Sequence, residues 1–209
     1  MRPFTVHTGA AVPLLRDNID TDAIIPSREM KTVSKSGLAA GLFAPWRYSD
    51  AITRAKNEEF PLNQPLYSEA NILISGHNFG CGSSREHAVW ALAEYGFRAI
   101  MAHSFGSIFK NNAIRNGLLP IELKWPELEA IARWIESDPK NHQIMIDLKT
   151  QTVNAGPLGE LIFEIDDQAK NMLLNGLDEI GLTEQLESEI TAFENRDRKR
   201  RPWIYLTGD

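Results

Sequence analysis

Asn71-Ile72-Leu73-Ile74-Ser75-Gly76-His77-Asn78-Phe79-Gly80-Cys81-Gly82-Ser83-Ser84-Arg85-Glu86-His87-Ala88-Val89 passes from an apolar block through a glycine-rich turn into a helical pattern. Residues 71–75 read as a buried strand, a short apolar run that stops at glycine. Ala88, Val89, Leu92 and Ala93 then recur at helical spacing, and Gly96 follows as a stop. A strand, a tight turn and a helix in that order are one step of an α/β fold.

The pattern repeats downstream. Residues 98–102 predict a second strand. Residues 105–116 predict a second helix, with Ser104 as N-cap and Gly117 just past its end. Residues 118–123 predict a third strand, and 126–137 a helix with Leu128, Ile131, Ala132 and Ile135 on one face. Residues 143–148, 151–154 and 159–165 predict antiparallel strands, and 167–195 a helical stretch broken at Gly176 and Gly181. Upstream, 4–8 and 11–15 predict two short β pieces. The expected product is an α/β domain with mixed sheets and a helical C-terminal extension. It spans residues 1–195, with 196–209 as a solvated basic tail.

Composition narrows the chemistry. The chain has 209 residues, enough for one domain with its own core, and a net charge of −6. The basic residues Arg196, Arg198, Lys199, Arg200 and Arg201 are clustered, which leaves an acidic body. An acidic body argues against nucleic acid as partner. No apolar run approaches the roughly 18 residues of a membrane span, and no leader-like segment opens the sequence. We therefore expect a cytoplasmic protein without a membrane partner. Cys81 is the sole cysteine. It excludes an internal disulfide, and an iron–sulfur cluster held by this chain alone, which takes about four thiolates.

Two segments carry candidate chemistry. The turn Gly76–His87 lies where a strand meets a helix, a place that offers free N–H groups to anions. It is not a P-loop, since no Lys-Ser/Thr follows the glycines. Ser83 and Glu86 have capping-box spacing, so Ser83 is expected to cap the helix. Arg85 in the first turn opposes the helix dipole and calls for an anion beside it. Gly76, Gly80 and Gly82 allow something to approach the backbone closely. The second segment, Asp17-Asn18-Ile19-Asp20-Thr21-Asp22-Ala23-Ile24-Ile25-Pro26, lacks the glycine and glutamate of a calcium loop and reads equally as an Asx-turn. The five histidines show no ligand pair at i, i+4, and no metal site is expected.

Asn78-Phe79-Gly80-Cys81-Gly82-Ser83-Ser84-Arg85-Glu86-His87-Ala88 resembles the swivel-domain signature of the aconitase superfamily. Asp20-Thr21-Asp22-Ala23-Ile24-Ile25-Pro26 is similar to the companion motif of its isopropylmalate branch. Ser104-Phe105-Gly106-Ser107-Ile108-Phe109, then Asn116-Gly117-Leu118-Leu119-Pro120, continue the pattern, and 175–183 resemble the bacterial small-subunit signature. From Arg196 onward no family pattern is recognised.

The resemblance implies a swivelling β/β/α layered fold. It implies a hydro-lyase small subunit of the two-subunit type, active only with a large subunit that carries a 4Fe-4S cluster. The implied reaction interconverts 2-isopropylmalate and 3-isopropylmalate through 2-isopropylmaleate, in leucine biosynthesis. Citramalate, homoaconitate-type acids and aconitate are alternative substrates, and a non-catalytic anion-binding assembly module is the other alternative. By motif position Ser83 is the base, and Ser84 and Arg85 bind the dicarboxylate substrate. Asp20, Thr21 and Asp22 are further substrate-binding candidates. Residues 27–46, with Met30, Val33, Leu38, Leu42 and Phe43, are expected to form part of the pocket for the substrate's alkyl group.

Overall fold

β1 (Val6–Leu14), buried at four consecutive positions from Ala11 to Leu14, lies at the centre of one seven-stranded sheet, where it pairs on both edges. β2 (Ala70–Ser75), β3 (Ala99–Ala102) and β4 (Leu119–Glu122) extend the sheet in parallel on one side. β5 (Gln143–Asp147), β6 (Thr152–Asn154) and β7 (Glu160–Ile162) extend it antiparallel on the other. The order is β4-β3-β2-β1-β5-β6-β7, so the parallel and antiparallel parts expected from the sequence form a single mixed sheet. The structure, a computed structural model, describes residues 1–30 and 34–205. Val33 and Leu206 lie outside the described residues.

The two expected β pieces near the N-terminus are one strand. Its first half, Val6–Ala10, pairs with β5, and its second half pairs with β2 after a register shift at Ala10/Ala11. Val6–Thr8 are exposed or half-buried whereas Ala11–Leu14 are buried at every position, so the apolar pattern reads as two pieces.

Among the described residues, eight α-helices pack around or extend the sheet. α1 (Thr21–Ile24) and α2 (Ala44–Arg47) are single turns in the long β1–β2 crossover. α3 (Glu86–Tyr95), α4 (Ser107–Arg115) and α5 (Trp125–Ser137) each follow a parallel strand. α6 (Asp167–Asn175), α7 (Glu179–Glu184) and α8 (Glu187–Arg200) close the chain. On one face of the sheet Val12, Leu73 and Ile100 pack in a core with Ala88, Val89 and Leu92 of α3. On the other, Ile72, Ile74 and Met101 share a core with Leu128, Ile131 and Ile135 of α5 and with Met172 and Leu173 of α6. Each such side chain contributes roughly 1.5–3 kcal/mol by leaving water.

Three local expectations are corrected. α4 begins after Gly106 rather than Ser104, because the Ser104 hydroxyl is engaged with the Asn78 N–H at 2.9 Å. Gly181 does not break the C-terminal helices. It sits in the first turn of α7 and donates its N–H to Asp178 at 2.8 Å, a cap that tolerates glycine. The basic block is helical as far as Arg200. Asp197 accepts from Arg201 Nε at 2.7 Å and from the Tyr205 hydroxyl at 2.9 Å, and this folds the following turn back on the helix.

Candidate functional site

The loops that leave β1, β2 and β3 emerge at the same edge of the sheet, since those strands are parallel. Ligands bind in α/β folds at such carboxyl ends. The loop after β2 runs between the other two and continues the hydrogen bonding of the sheet. On one side Gly80 N–H donates to Ile19 O at 2.7 Å and Thr21 N–H to Cys81 O at 2.9 Å. On the other, Phe79 N–H donates to Ser104 O at 2.9 Å and Gly106 N–H to Phe79 O at 2.8 Å. Asn78 and Asn18 both take left-handed backbone conformations, and the Asn78 amide donates to Asn18 Oδ1 at 2.9 Å.

The glycines serve this stacking. A Cβ on Gly76 would lie 2.6 Å from the Arg16 carbonyl oxygen. Gly80 has φ +73°, and a Cβ there would lie 2.2 Å from Phe109 Cγ. What approaches the backbone at both positions is the protein itself.

Ser83 is not the helix cap. α3 starts after Arg85 with no capping side chain. Glu86, the other half of the expected box, accepts instead from the Asn116 amide at 2.8 Å. Asn116 also accepts from Trp90 Nε1 at 3.0 Å, so it ties the first turn of α3 to the end of α4. The Ser83 hydroxyl turns the other way, to Thr21, at 3.2 Å. Ser83 and Ser84 are exposed, whereas Thr21 is 1% exposed. Arg85 Nη1 is ion-paired with Asp22 Oδ1. Asp20 caps α1 by accepting from Ala23 N–H at 2.7 Å. Its charge, after burial, pushes the Cys81 thiol up from its ordinary range. Cys81 is thus kept as a neutral thiol rather than a nucleophile.

The structure therefore brings Ser83, Ser84, Arg85 and Asp22 to one accessible edge, with Thr21 buried against Ser83. It does not bring the whole expected alkyl pocket there. Leu42 and Phe43 are fully buried in the core that α3 covers, and Met30 packs half-buried against that core. A cavity of about 660 Å³ lined by His103, Glu122, Lys124 and Phe163 opens beside β4 and β7 and does not include Ser83 or Arg85. Sequence reasoning missed the connecting roles of Asn116 and Ser104. Their only signal was a polar residue at a predicted helix end, which for Ser104 reads as an N-cap.

Residues 1–126 match the family model described as the aconitase C-terminal domain. The chain is 54% identical, over the whole of both chains, to the 3-isopropylmalate dehydratase small subunit of Cupriavidus necator. It belongs to the family of 3-isopropylmalate dehydratase small subunits. Residues 179–205 match that family's C-terminal domain model, so the segment beyond Arg196 follows the family pattern after all, against the sequence reading. The crystal structure of 3-isopropylmalate dehydratase from Methanocaldococcus jannaschii is similar with a TM-score of 0.62 at 27% identity. That match covers 90% of this chain and 99% of the archaeal one.

The family raises the question of an iron–sulfur cluster. Among the described residues no group of three or more His, Cys, Asp or Glu side chains is placed to hold a metal ion. One half-buried thiol does not match the roughly four thiolates a cluster takes. Among the described residues no helix is long and apolar enough to cross a membrane.

Proposed function

We propose that this chain, as the small subunit of a 3-isopropylmalate dehydratase, supplies the proton-transfer and carboxylate-binding half of an active site completed by a large subunit. The reaction is the interconversion of 2-isopropylmalate and 3-isopropylmalate by loss and return of water, through 2-isopropylmaleate. The cluster and the departure of the hydroxyl belong to the large subunit, and this chain provides the base and the carboxylate clamp. The setting is leucine biosynthesis in the cytoplasm.

The observation that carries the reading is the exposed Ser83 hydroxyl on the same edge as the Arg85 guanidinium, with no side chain capping α3. A dehydration takes a proton from the carbon next to a carboxylate. Serine is a poor base unless its alkoxide is stabilised. The positive charge of the Arg85 guanidinium on the same edge supplies that stabilisation. Arg85 offers paired N–H groups to a planar carboxylate, and Ser84 supplies a hydroxyl to the same group. Asp20 is committed to its cap and Asp22 to Arg85, so these two act on the substrate through the loop they hold. For the alkyl group, Met30 is the candidate with surface to offer, and Leu42 and Phe43 support it from beneath.

The test is co-purification with the large subunit under anaerobic conditions, followed by turnover of a panel of 2-substituted malates. Turnover of isopropylmalate that requires both chains supports the reading. Turnover by this chain alone, or preference for citramalate or aconitate, overturns it.

A further inference from the structure

We infer that Thr21 is a positioning residue for Ser83, acting on its protonation state and not on the substrate. The inference rests on the reading of Ser83 as base. Thr21 is one of very few buried polar side chains among the described residues, at 1% exposure, so it offers no surface to a ligand. Its Oγ1 lies 3.2 Å from the Ser83 hydroxyl and 3.2 Å from the Ser83 carbonyl oxygen. Its backbone is fixed as well, since its N–H donates to Cys81 O at 2.9 Å and its carbonyl accepts from Ile25 N–H at 2.9 Å. The hydroxyl is held in place from the opposite loop while Ser83 itself stands in solvent.

This geometry suits both protonation states of Ser83. With Ser83 neutral, Thr21 donates a hydrogen bond to the Ser83 carbonyl and accepts one from the Ser83 hydroxyl. With Ser83 as alkoxide, the Thr21 hydroxyl rotates and donates to Oγ. A threonine O–H has one proton and two acceptor lone pairs, so it can do either without other atoms moving. The donor is preorganised and buried, and such donors are worth far more than one supplied by solvent. Proton balance is simple: the substrate's C–H proton goes to Ser83 Oγ, and the Thr21 hydroxyl keeps its proton and turns its hydrogen bond from Ser83 Oγ back to the carbonyl.

The experiment uses the assembled complex with the large subunit. Thr21→Val keeps the shape and removes the hydroxyl. It is expected to lower kcat about 10- to 100-fold, less than the ~10²–10³ typical of a donor that contacts the reacting oxygen directly. KM should change little, and the pH profile of kcat should shift its basic requirement upward. Thr21→Ser should recover most of kcat. In a Ser83→Ala background Thr21→Val should cost nothing further, because its target is gone. Equal losses in Thr21→Ser and Thr21→Val would overturn the inference, since the hydroxyl is then not the active feature. So would a kcat loss in Thr21→Val with an unchanged pH profile. If Thr21→Val fails to assemble, Thr21→Ala against Thr21→Ser makes the same comparison. Full turnover in Ser83→Ala would overturn the base assignment itself and this inference with it. Wild-type kcat in Thr21→Val beside an inactive Ser83→Ala would overturn this inference alone.

Discussion

Arg85 and Asp22, 63 residues apart in sequence, form an ion pair across the β1 and β2 loops through Arg85 Nη1 and Asp22 Oδ1. The Asp22 side chain is 55% exposed and that of Arg85 25%. Such a pair adds little to stability, since solvent screens it. Its consequence is orientation. A guanidinium has five N–H donors, and a partner at Nη1 leaves an edge free for a carboxylate.

Arg85→Lys should raise KM for the malate substrate by 10-fold or so with a smaller fall in kcat, because a point charge replaces a two-pronged clamp. Asp22→Asn should raise KM by a smaller factor, through loss of orientation alone. Steady-state kinetics of the complex measure both. A lowered KM in Asp22→Asn would show that Asp22 competes with the substrate.

Ser83→Ala should lower kcat by ~10²–10⁴, the span of a lost general base. Its thermal melt should stay within a degree or so of wild type, since the side chain is exposed and caps nothing. A large drop in melting temperature with normal kcat would make the serine structural.

Glu94 at the end of α3 clamps the loop ahead of α2. Its carboxylate accepts from the N–H groups of Gly37 at 2.6 Å and Ala39 at 2.8 Å, and from that of Leu38. Burial works to raise its carboxyl, but the donors of Gly37, Ala39 and Leu38 outweigh it and hold the group below its ordinary range. A carboxyl lowered by folding stabilises the native state above the unfolded range, and that contribution is lost as pH falls through the folded value. Glu94→Gln should therefore lower Tm by a few degrees at neutral pH. The gap to wild type should close on acidification below about pH 4. Melts of both proteins across that range give the answer, and a constant gap would contradict it.

Gly80→Ala should destabilise the chain by more than ~1–3 kcal/mol, since the backbone there is left-handed and the added methyl meets Phe109. Gly96→Ala also sits at positive φ, but a Cβ there meets nothing within 4 Å, so its cost should be smaller. Denaturant midpoints of the two variants should rank in that order.

Much of this protein was legible in its residues because the determinants are local. The 3.6-residue spacing of Leu128, Ile131 and Ile135 gives α5 its buried face whatever lies beneath it. The glycines at 96 and 117 end helices through a backbone conformation that belongs to glycine itself. The motif around Ser83 marked the candidate site for the same reason: its residues are neighbours in the chain. The tertiary structure decided what those residues touch. Ser83 has capping-box spacing, yet its hydroxyl meets Thr21, 62 residues away, because parallel pairing of β1 with β2 lays their loops side by side. Leu42 and Phe43 carry no periodic signal, and only the packing of the long crossover beneath α3 makes them core. Periodicity reports on a few turns of chain, whereas contacts across a parallel crossover depend on which strands pair.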